Sequence, residues 1–256
     1  MKALQRLNLT IGCALALAGC GGSSSASSST IPAQAASVRV RFADGAPFLE
    51  TVIGSAPQPI CSGASAPCYV QVNGETVSQA FYYGSVTPFV SVTAGTNSLK
   101  ALDEAGYAVG PFKTPALSPG GRYTLVLVGS YPNYQVLAFS EPASGGNAQL
   151  SFYEASPTVA QSDFGSFSAS SRSNFKRLGS ATFGSVATVT VGKSVSNFGG
   201  YAGTQSAPFG AFTLAQIDSF DSRNVLPFHA ASRLSLFLFD PKSGSASGPL
   251  FGSLDQ

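Results

Sequence analysis

The strand pattern of this chain runs twice, and that repetition constrains the fold more than any other feature. Ser37 to Ala43 alternates, with Val38, Val40 and Phe42 on one side and Arg39 and Arg41 on the other, which predicts a half-buried strand. Asn147-Ala148-Gln149-Leu150-Ser151-Phe152 restates it 110 residues later. Tyr83-Gly84-Ser85-Val86 is echoed by Phe183-Gly184-Ser185-Val186 at an offset of 100, and Arg122 to Gly129 by Arg233 to Asp240 at 111. The order is kept, and small differences in offset suit insertions in surface loops. Two copies of about 100–110 residues, all strand and turn, match the size of an immunoglobulin-like sandwich. The expected fold is therefore all-β: two tandem immunoglobulin-like β-sandwich domains, over 37–142 and 148–256. A short Gly-rich linker at Glu141-Pro142 to Asn147 separates them. A single large barrel is the alternative, and a repeat of this size argues against it.

Turn chemistry supports the strands. Tyr69 to Val72, then Asn73-Gly74, then Glu75 to Val77 predicts a hairpin, because Asn-Gly accepts the positive φ of a type I′ turn at both central positions. Phe89-Val90-Ser91-Val92 alternates and stops at Ala94-Gly95-Thr96. Arg122 to Gly129 follows the turn Ser118-Pro119-Gly120-Gly121 and reads as a buried strand; Gln135 to Ser140 closes the first half. The second half lacks the Asn-Gly hairpin, and a Ser-rich stretch around Ser166 to Ser173 stands in its place. The segments Tyr69 to Gly74, Tyr83 to Thr96 and Gly121 to Gly129 together resemble the domain of unknown function 4397 family. Those domains occur in bacterial envelope proteins, often in tandem, and the resemblance implies an immunoglobulin-like fold without an established activity. It covers most of Ser37 to Pro142 and is weaker over Ala148 to Gln256. The chain departs from the family pattern at Asp44-Gly45-Ala46-Pro47 and in the insertion that holds Cys61 and Cys68.

The N-terminus predicts an address. Lys2 and Arg6 form a short basic segment, and Leu7 to Ala16 is mostly apolar but too short to span a bilayer. Leu17-Ala18-Gly19-Cys20 then resembles the lipobox of a bacterial lipoprotein. On that reading residues 1–19 are a signal peptide. Cys20 carries the lipid and becomes the mature N-terminus, and the protein is held by two or three acyl chains. Gly21 after the Cys favours the outer membrane where the source has one. Residues 20–36 are a flexible Ser/Gly-rich linker without charge or periodicity. A coil of that length reaches about 20–24 Å, so the folded part is expected to sit close to the membrane surface.

Without Lys2 and Arg6, twelve basic residues face twelve acidic ones, so the mature chain is formally neutral. Nothing argues for nucleic acid. Cys13 leaves with the signal and Cys20 takes the lipid, which leaves Cys61 and Cys68 as a pair in an oxidising compartment; a disulfide is the natural reading. A metal site is the rival, but two thiols at that spacing without a nearby His make a poor ligand set.

Catalytic constellations are sparse. The single histidine, His229, comes without a G-x-S-x-G elbow and cannot supply a multi-His metal site. Ser173-Asn174-Phe175-Lys176 fits S-x-x-K and Lys242-Ser243-Gly244 fits K-S-G, a combination known from penicillin-recognising serine enzymes. Those enzymes place the Ser on a helix in a mixed domain, whereas here it lies within an all-β pattern. Asp218 to Asp221 and Asp103-Glu104 lack a calcium-loop pattern. Neither a metal nor a cofactor is expected. Tyr131 and Tyr134 flank Pro132-Asn133 in a loop and are the candidate ligand-binding residues. The expected role is a non-catalytic, membrane-anchored envelope lipoprotein: a binding, adhesion or structural module meeting envelope proteins or glycans. The alternative is an envelope serine hydrolase of the penicillin-recognising type.

Overall fold

The computed structural model describes residues 36–143, 146–168, 171–191, 197–202, 210–213, 233–242 and 250–255. Within them the architecture is all-β, as expected, and the strands fall into two sandwiches of the same plan. The first begins with β1 (Ser37–Asp44). It pairs antiparallel with β6 (Val90–Thr93) on one side and parallel with β9 (Arg122–Ser130) on the other, and β10 (Asn133–Ser140) follows β9. The facing sheet has the order β5-β4-β7-β8, from β4 (Cys68–Val72), β5 (Glu75–Phe81), β7 (Ser98–Leu102) and β8 (Ala108–Lys113). A separate hairpin, β2 (Leu49–Ile53) with β3 (Ala56–Ile60), is inserted between β1 and β4. The β4–β5 turn is the expected one, with Asn73 at φ 52° and Gly74 at φ 90°.

The second half repeats this order. β11 (Gln149–Glu154) pairs antiparallel with β14 (Val186–Thr190) and parallel with β17 (Arg233–Leu238), and β18 (Leu250–Asp255) lies beside β17. The facing sheet is β13-β12-β15-β16, from β12 (Gln161–Ser168), β13 (Ser171–Thr182), β15 (Asn197–Ala202) and β16 (Gly210–Thr213). The Ser-rich stretch that replaces the Asn-Gly hairpin thus belongs to a β12–β13 hairpin. The β2–β3 hairpin has no counterpart among the described residues.

Each sandwich has its own core. Val38, Val40 and Phe42 of β1 meet Val70, Phe81 and Leu99 in the first. Leu150, Phe152, Leu234 and Leu236 meet Phe164 and Phe198 in the second. A third buried layer joins the two halves: Ala43, Val126, Val128 and Phe139 pack against Tyr153, Ala155, Phe237 and Phe239. The sheets carrying β1 and β11 are therefore buried on both faces, and residues 35–256 form one compact unit. This corrects the half-buried reading of β1, because Arg41, on the face opposite Phe42, is 1% exposed. On that face Ser37 and Arg39, at the start of the strand, are open to solvent.

The layer encloses charge. Arg41 donates from Nη2 to Glu141 Oε1 at 3.1 Å and to Ser235 Oγ at 2.8 Å, and from Nε to Thr124 Oγ1 at 2.8 Å. Arg233 Nη1 reaches Glu141 Oε2 at 3.2 Å, and Tyr153 donates its hydroxyl to Glu141 Oε1 at 2.8 Å. Glu141 opens the segment expected to be a linker, yet its side chain is 1% exposed and bridges the two halves. A buried ion pair of this kind needs its remaining lone pairs and protons satisfied; the hydroxyls of Thr124, Tyr153 and Ser235 do this around Arg41 and Glu141, while Arg233 Nε has no hydrogen-bond partner among the described residues. Close approach of the halves also explains Gly45: a Cβ there would lie 2.6 Å from the Phe239 ring.

Candidate functional site

The alternation of β1 places Asp44 last in the strand, where the chain turns through Gly45-Ala46-Pro47. Its backbone is fixed on both sides, with Asp44 N–H donating to Ser85 O at 3.2 Å and Gly84 N–H donating to Asp44 O at 2.8 Å. Its side-chain Oδ1 accepts the Ala46 N–H at 3.0 Å, an Asx-type turn. The residue is 1% exposed. Burial pushes its carboxyl up to about 8, although the Ala46 N–H and the positive charge of Lys242 both pull it down. At neutral pH Asp44 is a buried carboxylic acid, able to donate a hydrogen bond.

Asp44 lines a pocket of about 100 Å³ with Ala46, Pro47, Phe48 and Leu49, Pro59 to Ser62, Tyr83 and Lys242. The β2–β3 hairpin supplies one wall. Its start is fixed by Tyr134, whose hydroxyl accepts the Glu50 N–H and donates to the Phe48 carbonyl, both at 2.8 Å. Its end is fixed by the Cys61–Cys68 disulfide, which ties the residue after β3 to the first residue of β4. The expected pairing of these cysteines is thus the observed one. The opposite wall comes from the second half. Tyr83 donates its hydroxyl to the Asp240 carbonyl at 2.7 Å, and Lys242 places Nζ 4.9 Å from the Phe48 ring centre. Burial raises the Tyr83 hydroxyl well above the ordinary tyrosine range, and the nearby carboxyls of Asp240 and Asp44 add to that.

The second half has the equivalent acid without the pocket wall. Glu154 N–H donates to Ser185 O, Gly184 N–H to Glu154 O, and Ser156 N–H to Glu154 Oε1, matching Asp44, Ser85, Gly84 and Ala46 at the offsets of 110 and 100. Burial pushes Glu154 up to about 7. Beside it, Asp240 Oδ1 accepts from Thr158 Oγ1 at 2.6 Å and from the hydroxyl of Ser156, so the chain's own groups occupy this acidic position.

The residues singled out from the sequence are dispersed. Tyr131 is 37% exposed in the β9–β10 turn. Tyr134 has its hydroxyl committed to the β2 backbone and its ring edge-on to Phe112, and burial first, then Glu50 and Asp44, push its hydroxyl up to about 12. Ser173 and Lys176 both lie within β13, a strand, unlike the helical S-x-x-K arrangement. Lys242 reaches the pocket, while Ser243, Gly244, His229, Asp218 to Asp221 and Cys20 lie outside the described residues. Among the described residues no group of three or more His, Cys, Asp or Glu is placed to hold a metal ion. Asp44 and Lys242 were missed as a pair. The available signals were the departure at Asp44 to Pro47 from the family turn and the K-S-G match, neither of which points to the other.

Residues 62–164 match the family model described as Domain of unknown function (DUF4397), the family that the Tyr69, Tyr83 and Arg122 motifs resemble. The match runs from the disulfide loop across Glu141 into β12, and so takes in parts of both sandwiches. No curated protein matches the chain.

Proposed function

We propose that this chain is a non-catalytic envelope lipoprotein that acts by contact, anchored through lipid on Cys20 and carried on the outer membrane where its source has one. Each half is read as an immunoglobulin-like unit of the same family. The observation that carries the contact reading is the β2–β3 hairpin. It is an addition to a plan the second half otherwise repeats, it is braced at both ends, and it exposes apolar side chains, Phe48 at 38% and Val52 at 52%. Exposed Tyr131 stands three residues from the Tyr134 that braces it. A rigid scaffold with an added, apolar-tipped loop is the usual form of a recognition surface. The partners this face suits are envelope proteins or glycans met by shape and polar contact.

The anchor is tested by alkyne fatty-acid labelling, which should mark the wild type and not Cys20→Ala; equal labelling of both refutes it. The contact face is tested with a photo-crosslinking residue at Val52, compared with one at the exposed Tyr107. Discrete crosslinks in native envelopes are expected from position 52 alone, and identical patterns from both positions refute the assignment. Covalent capture of Ser173 by an active-site serine probe would replace this reading with the hydrolase one.

A further inference from the structure

We infer that the pocket between Asp44 and Lys242 is a binding site for a small aliphatic carboxylate of about four non-hydrogen atoms, the size of acetate. The inference goes beyond the contact role and does not depend on what the hairpin meets.

Size sets the first limit. A dry cavity of about 150 Å³ accommodates benzene, so one of about 100 Å³ takes about four carbon-sized atoms. Lining sets the second. Phe48, Leu49 and Ile60 give an apolar wall, rigid because the hairpin is held by Tyr134 at one end and the disulfide at the other. Polar groups set the third. Asp44 is almost fully buried and lines the pocket. Its Oδ1 accepts the Ala46 N–H, and Oδ2 has no hydrogen-bond partner among the described residues. A buried carboxyl left in that state calls for a partner. Among the described lining residues the charged neighbour is Lys242, a cation, so a second cation is repelled and an anion is favoured. A carboxylate satisfies both groups, accepting from the protonated Asp44 and pairing with the Lys242 ammonium while its alkyl part covers the apolar wall.

The titratable groups around Asp44 are Lys242, Tyr83 and Tyr134, with Asp240 behind Tyr83 and Glu50 behind Tyr134. Neither tyrosine ionises below the range in which Asp44 does, because burial raises both. Raising the pH therefore first converts the donor on Asp44 into a like charge facing the ligand, and binding should weaken about tenfold per unit above the Asp44 value.

Full-length protein in detergent is titrated with acetate, ethylamine and ethanol, read by thermal shift and by ligand-observed NMR. Acetate alone is expected to bind saturably at about pH 6 and to weaken by about tenfold or more at about pH 9. Lys242→Ala should weaken it by about tenfold, the loss of one charge-assisted contact. Asp44→Asn keeps a donor that cannot ionise, so it should retain binding and lose the pH dependence. Lys242 is partly exposed, so its variant is expected to fold, and an unchanged melting temperature without ligand confirms that. Saturable binding of the amine in preference to the acid, equal binding of all three probes, or binding of none overturns the proposal.

Discussion

Removing the carboxylate of Glu141 should cost more stability than any single ion-pair change on the surface of this protein. Four donors converge on it: Arg41, Thr124 and Tyr153 at Oε1, and Arg233 at Oε2. The side chains of Arg41, Glu141 and Arg233 are 1%, 1% and 6% exposed, so solvent cannot replace the lost contacts. Breaking a buried pair by removing one partner costs about 3–5 kcal/mol, because charge is left behind in a low-dielectric layer. For a body of this size that corresponds to a fall of roughly 10 °C in melting temperature. Glu141→Ala should show the full loss in urea unfolding followed by far-ultraviolet circular dichroism. Glu141→Gln, which keeps shape and one acceptor, should lose less. The comparison is Asp163→Asn, which removes the Arg177–Asp163 pair at 3.0 Å. There the side chains are 57% and 33% exposed, and a change of at most about 1 kcal/mol is expected. Added salt should erase what little Asp163 contributes and leave the Glu141 effect intact, since buried pairs are weakly screened. If Glu141→Ala costs no more than Asp163→Asn, the reasoning that the inter-half layer depends on this carboxylate is wrong.

Two further outcomes follow from the same layers. Asp44 and Glu154 hold their protons up to about 8 and about 7, against unfolded values near 3.9 and 4.3. The folded state therefore binds more protons than the unfolded one above about pH 4; stability is greatest at low pH and falls toward pH 8, by about 1.4 kcal/mol per unit for each group that is still protonated only when folded. Asp44→Asn should flatten this slope in urea midpoints measured across that range, and an unchanged slope refutes the assignment. A fragment of residues 37–142 retains the core of Val40, Phe42, Phe81 and Leu125, so it should fold and melt cooperatively. It also bares Ala43, Val126 and Phe139 and should self-associate by light scattering; a monomeric, well-folded fragment would contradict the role given to the shared layer.

What was legible in the sequence was local. Asn73-Gly74 announced its hairpin because turn chemistry is decided by two residues, and the offsets of 110, 100 and 111 reappear as equivalent hydrogen bonds at Asp44 and Glu154. Cys61 and Cys68 were paired by elimination, and the structure joins them. What was hidden depended on distance along the chain. The alternation of Arg39 and Arg41 with valines looks like a solvent face, and nothing nearby shows that Glu141 and Ser235 will cover Arg41. Likewise Tyr134 reads as an exposed loop aromatic until the β2 backbone is placed against its hydroxyl. Lys242 meets Asp44 only because two sheets pack back to back.

The two equivalent acidic positions also differ in the described residues that surround them. In the first half the tight β9–β10 turn requires Gly129, at φ 101°, where a Cβ would lie 2.4 Å from the Asn133 carbonyl oxygen. The matching position in the second half, 111 residues on, is Asp240. It carries a carboxylate that accepts from Ser156 and Thr158. The Asp240 backbone carbonyl meanwhile takes the Tyr83 hydroxyl, and the chain continues to Lys242 at the rim of the first half's pocket. The floor of the pocket thus comes from the first half, one wall from its inserted hairpin, and the rim from the second half. Neither half alone would contain the site, so a chain carrying only one such sandwich is expected to have the buried acid without the lysine that gives the pocket its preference for an anion.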